Sequence, residues 1–227
     1  MAEPGRSAAP SAPTTGGDIA RRAAGSAAAG CTLAGAVAVT LAVVAGPGPG
    51  LTGYVSEAGI AGSAHAATYR IGILALAAAL LLIGAALPPG VWAAAPALLA
   101  TGAVFTAVSG AVTCSDGCPL PPFERATTAD LVHGGASIAA TAAVVFAMIT
   151  LAVSGSVGSM VRRLAGGAAV LALPLCATVG LAMLVIGRGT LVGVLERLIL
   201  ALAVLWGLCT ATALALCKEP HPDRSFQ

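Results

Sequence analysis

IGILALAAALLLIGAALPPGVWAAAPALLATGAVFTAVSGAVTCS, residues Ile71 to Ser115, runs for 45 residues without one Asp, Glu, Lys, Arg or His. Its only break is the turn Pro88-Pro89-Gly90. A helix needs about 20 mostly apolar residues to cross a hydrocarbon core roughly 30 Å thick, so the run holds two spans joined back to back. The composition agrees: 58% hydrophobic, 9% charged and a mean hydropathy of +0.95 exceed what a soluble core absorbs. Ala and Gly dominate over Phe and Trp. That predicts thin, closely packed helices, because in lipid association rests on close approach rather than on a hydrophobic drive.

Outward from this run, intervals free of Asp, Glu, Lys and Arg lie at 23–56, 131–161, 164–187 and 198–217. Together they predict an all-α membrane protein, a six-transmembrane-helix bundle with helices near 28–46, 71–87, 91–113, 131–153, 165–187 and 195–217. Pro47-Gly48-Pro49-Gly50 closes the first helix. Residues 1–26, rich in Ala, Pro, Ser and Gly, read as a disordered tail, 27–217 as the membrane domain and 218–227 as a second tail.

Six spans place both termini on one side. That side receives Arg6, Arg21, Arg22, Arg162, Arg163, Lys218 and Arg224, seven of the eleven Lys and Arg, and leaves Arg70, Arg125, Arg188 and Arg197 for the other. The basic excess predicts cytoplasmic termini and a multi-pass protein of the cell membrane. Arg21-Arg22 ahead of an apolar run also suits a cleaved leader, but Ala64-His65-Ala66 lies too far past the run to be its cleavage site. A net charge of +2 with no basic, aromatic-interleaved run excludes nucleic acid.

On this orientation the outer face mixes carboxylates, imidazoles and guanidiniums. Asp130, His133, Ser137 and Thr141 are spaced three, four and four apart, one stripe on the fourth helix. Thr106, Ser109 and Thr113 mirror it on the third. Facing each other, the two stripes would line a polar cleft reaching roughly 16 Å down from the outer surface. The same spacing equally lets Ser and Thr bond carbonyls one turn earlier, and lets Asp130 cap its helix. His133 is the more pointed candidate, since an ionisable group one turn into a span is expensive and tends to be functional. Glu57, His65, Arg70 and Arg197 complete the candidate outer site. Arg197 suits an anionic headgroup, for which guanidinium is a bidentate partner; snorkelling explains it as well. Glu196 at a helix start reads as a dipole partner.

Cys114-Ser115-Asp116-Gly117-Cys118 forms a turn that brings two cysteines into disulfide range. A thiol oxidoreductase would more usually carry C-x-x-C. Cys31, Cys176, Cys209 and Cys217 read as small apolar fillers. No H-E-x-x-H or paired C-x-x-C spacing supports a metal, and no His pair on facing helices supports haem, so no cofactor is expected. Nor does the last helix carry the His that an intramembrane serine protease needs.

Tyr54-Val55-Ser56-Glu57, then Tyr69-Arg70, Cys118-Pro119, and His133 with Phe146 make a pattern along the chain. It resembles the bacterial six-helix membrane family catalogued as domain of unknown function 998, itself similar to the Frag-type and autophagy-modulator six-helix proteins. The resemblance implies a six-helix bundle with an acidic signature after the first helix, here Glu57, and a His in the fourth, here His133. It implies no reaction. The function expected is therefore binding of a lipid headgroup or a partner membrane protein at the outer cleft. The rivals are a solute or proton-linked transporter using Asp130 and His133, and an intramembrane metal-dependent enzyme.

Overall fold

The computed structural model describes residues 16–46, 53–119 and 121–216. The tail residues 1–15 and 217–227 and the Pro47–Gly50 breaker lie outside the described residues. Six helices carry the fold: α1 (Gly16–Ala45), α2 (Ala66–Ala86), α3 (Ala94–Ala111), α4 (Thr128–Val153), α5 (Ser159–Val185) and α6 (Thr190–Leu216). Each is long and apolar enough to cross a membrane; the shortest, α3 with 18 residues, rises about 27 Å. Among the described residues there is no strand.

Five helices begin before the boundary expected from sequence. α2, α4 and α5 take Arg70, Asp130 and Arg162-Arg163 into their opening turns, and α6 carries Glu196-Arg197 about two turns past its start at Thr190. Charged residues at a span's end reach the interface along their own stems, so an apolar run is shorter than its helix. α1 differs most, starting at Gly16 rather than near 28, so 16–26 is helical where a tail is expected. Asp18 sits in its first turn and pairs with Arg21 at 2.5 Å, which suits the helix dipole. Arg22 Nε donates to Ala215 O at 2.9 Å and ties this extension to the end of α6.

The helices form a ring in which each packs on its sequence neighbours and α6 closes on α1. Glycine sets the closest crossings. A Cβ on Gly35 would stand 2.8 Å from Gly72 O, and one on Gly72 2.9 Å from Val39 Cγ2, so α1 and α2 approach where neither has a side chain. Gly25 plays the same part against α6, its Cβ position 2.9 Å from Ala215 N.

One end of the ring, here the terminal end, carries the starts of α1, α3 and α5. The other, the distal end, carries the connections 46–65, 112–127 and 186–189. The halves differ in kind. The terminal half holds the main core, with Ile83, Leu99, Met148 and Leu151 fully enclosed among Ala-rich helices. The distal half holds two small apolar clusters, around Tyr54 and Val192 and around Ala42 and Tyr69, and most of the buried polar bonds.

Candidate functional site

Asp130 stands in the first turn of α4 behind the cap residue Thr127, and only 6% of it is exposed. Its carboxylate accepts from Thr127 N at 2.7 Å, Thr127 Oγ1 at 2.7 Å, Ser115 N at 2.7 Å and Ser115 Oγ at 2.9–3.0 Å. Asp130 N donates back to Thr127 Oγ1 at 3.3 Å, completing a capping box. Both carboxylate oxygens are thus occupied by the α3–α4 connection. Asp130 staples that loop to α4.

His133, one turn further in, is 7% exposed. Its Nδ1 lies 2.9 Å from both Ser109 O and Val112 O, in the last turn of α3 and its cap. Carbonyls only accept, so Nδ1 carries the proton and the ring caps α3. Ser137 Oγ donates to His133 O at 2.9 Å and Thr141 Oγ1 to Ser137 O at 2.9 Å, the backbone bonds expected of i, i+4 hydroxyls. With the Ser137 proton committed, Ser109 Oγ is the donor in its 2.8 Å bond to Ser137 Oγ. The two stripes do face each other. They spend their polarity on one another in a hydrogen-bonded seam, where the spacing alone suggests an open cleft.

A second group gathers at the start of α6. The connection from α1 makes one 3-10 turn, Val55–Gly59, pinned from both sides. Glu57 Oε1 accepts from Tyr54 N at 3.1 Å, and Glu196 Oε2 accepts from Val55 N at 3.0 Å. Arg197 Nη1 donates to Gly193 O at 3.0 Å and to Gly53 O. Burial, and then the Glu196 carboxylate, push the Tyr54 phenol up to about 12. Glu196 was not among the candidates: with α6 expected to start at 195 it looks like a terminal dipole partner, whereas the true start at Thr190 puts it well inside.

The two groups meet at Cys114 and Cys118, whose Cα atoms are 5.0 Å apart with the sulfurs at bonding distance. Ser56 Oγ lies 3.4 Å from Cys118 Sγ, and Gly117 O accepts from Arg188 Nη1 at 2.7 Å. Arg188 also faces Glu124 at 3.4 Å. No bond joins Glu57 to His133 among the described residues. The seven candidates therefore divide: Glu57 and Arg197 at α6, Asp130, His133 and Ser137 on the α3–α4 seam, and His65 and Arg70 at the start of α2.

Arg70 is unlike Arg188 and Arg197. Its Nη2 is 3.5 Å from Thr113 Oγ1, its Nε is buried without a partner, and no carboxylate pairs with it among the described residues. His65 is the N-cap of α2, with its ring making no cap bond. No three His, Cys, Asp or Glu side chains gather into a metal-binding set among the described residues.

No curated protein and no solved structure matches the chain, so neither supports the likeness to the Frag-type proteins. The family model described as "Protein of unknown function (DUF998)" matches residues 26–213, from within α1 to the last turn of α6, and the chain belongs to that family.

Proposed function

We propose that this six-helix membrane protein is a binding protein whose ligand, a lipid headgroup or a partner membrane protein, docks at the distal end. The observation that carries this reading is the unequal use of three of the four distal arginines. Arg188 and Arg197 are spent on carbonyls of the connections, while Arg70 is held in place with no carboxylate among the described residues to answer it. A guanidinium left so at a membrane interface is an open request for an anion. On the same reading the basic excess places the terminal end in the cytoplasm and the distal end outside the cell membrane.

Binding ranks above transport on the character of the terminal half. Ile83, Leu99, Met148 and Leu151 fill it at 0–1% exposure, an apolar core below the seam. A photo-reactive side chain at Ala61 or Ala64, compared with one at Trp92 or Ser156, tests the proposal. Discrete lipid or protein adducts are expected at the distal positions. Equal, diffuse labelling at both ends would count against it.

A further inference from the structure

Beside Arg70 the surface dips into an open hollow of about 600 Å³, lined by Gly62, Ser63, Ala66, Ala67, Arg70 and Ile71 among others. Three independent features of this hollow carry one sign. First, it lies at the start of α2, a 21-residue helix whose N-cap His65 supplies no side-chain bond. Ala66 N reaches Ser63 O and Tyr69 N reaches His65 O, but the N–H groups of Ala67 and Thr68 meet no acceptor among the described residues. Such uncapped amides, backed by the helix dipole, favour an anion. Second, Ser63 Oγ already accepts from His65 N at 3.4 Å, which leaves its proton free to donate into the hollow. Third, Arg70 adds a full positive charge near the positive end of a helix dipole, an unfavourable placement on its own. Its Nε is buried and unpartnered, with no carboxylate within pairing distance among the described residues.

The wall below the hollow is apolar and faces outward. Ile71 is 65% exposed and Leu74 48% exposed on the lipid side of α2. Amide donors, a hydroxyl and a guanidinium thus stand directly above a strip that suits an acyl chain. We infer that the hollow at the start of α2 binds a phosphate ester, held by Arg70 and the Ala67 and Thr68 amides, with an anionic glycerophospholipid as its bilayer source. The inference rests on the reading that the distal end is a ligand face, and gives that ligand a chemistry and an address. Thr113 positions Arg70 through their hydroxyl contact, which holds the guanidinium against α3.

Native mass spectrometry of the full chain released from detergent tests it, with phosphatidylglycerol, the matching diacylglycerol and soluble glycerol phosphate as probes. Phosphatidylglycerol retention is expected to exceed that of diacylglycerol and to fall about tenfold in Arg70→Gln, with partial recovery in Arg70→Lys. Ala67→Phe, which fills the hollow and leaves Arg70 in place, is expected to lose retention too. It also keeps the test decisive if Arg70→Gln does not fold. Competition by glycerol phosphate at millimolar concentration would support the phosphate chemistry and identify a soluble ester as a second source. Equal retention of phosphatidylglycerol and diacylglycerol, or unchanged retention in folded Arg70→Gln and Ala67→Phe, would overturn the site. In that case distal photo-adducts would still stand for the broader binding reading; their absence removes the broader reading itself.

Discussion

At the scale of single residues, the distal end is held by groups whose types were legible and whose duties were not. Asp130 shows why. Its spacing before His133 and Ser137 marks a polar stripe, but only the returning α3–α4 connection supplies Ser115, which fills the carboxylate. Asp130→Asn keeps the shape, removes charge-assisted acceptance and turns one oxygen into a donor facing donors. A loss of about 2 kcal/mol is expected, read as a lower unfolding temperature in detergent. Gly117 is the second such position. It has φ +77°, and a Cβ there would stand 2.5 Å from Arg188 Nη1. Gly117→Ala is expected to cost about 1–2 kcal/mol and to expel Arg188, whereas Gly134→Ala, on an open helix face, is expected to be neutral or better. Tyr54 gives a pH signature. Its phenol rises from 10.0 to about 12 in the folded chain, so between these values the folded state holds a proton that the unfolded state has released. Its stability contribution is complete below pH 10 and is lost as pH rises toward 12. Tyr54→Phe, which also deletes an unpartnered buried hydroxyl, is expected to hold stability at pH 7 and to flatten that alkaline loss in thermal scans from pH 8 to 11.

At the scale of elements, the helices themselves follow from composition, and their ends do not. Charge-free intervals locate each span's middle, because the hydrocarbon core rejects charge. They miss the ends, because charged residues such as Arg70, Arg162 and Glu196 lie within the first one or two turns of their helices. The same error hid Glu196 as an interior anchor of the Val55–Gly59 turn. Close packing of α1 on α2 was legible only as a general richness in small residues. That Gly35 and Gly72 are the pair that touch depends on the rotation of both helices. Gly72→Leu must push Val39 and the Gly35 carbonyl aside, at an expected cost of about 2 kcal/mol or more. Ala79→Leu, small and buried elsewhere on α2, provides a comparison for overpacking without a glycine contact. Weakened α1–α2 association would appear as faster proteolysis of the 46–65 connection.

At the scale of the whole molecule, the turn closed by Cys114 and Cys118 is the point where the three distal connections meet. Ser56 arrives from the first, Ser115 binds α4 within the second, and Arg188 reaches Gly117 from the third. Closing so short a ring is worth about 2 kcal/mol by the chain-entropy account. Cys114→Ser is therefore expected to lower the unfolding temperature, and a dithiol reductant to do the same to the native chain but not to the variant. Alkylation before and after reduction, read by mass, counts the two thiols directly.

Taken alone, the sequence determined that this chain lives in a bilayer, that it crosses six times, and that its polar groups collect toward one end. These properties are one-dimensional: they depend on the length and charge of each run, and the hydrocarbon core enforces them locally. Tertiary structure alone decided what the polar groups do. Ser109, His133 and Ser137 became a sealed seam because antiparallel neighbours brought acceptors within 3.4 Å. Arg70, written in the same alphabet as Arg188 and Arg197, was left unanswered because no carboxylate among the described residues folds back to it. A bond needs a partner in space, and that partner comes from another helix or connection.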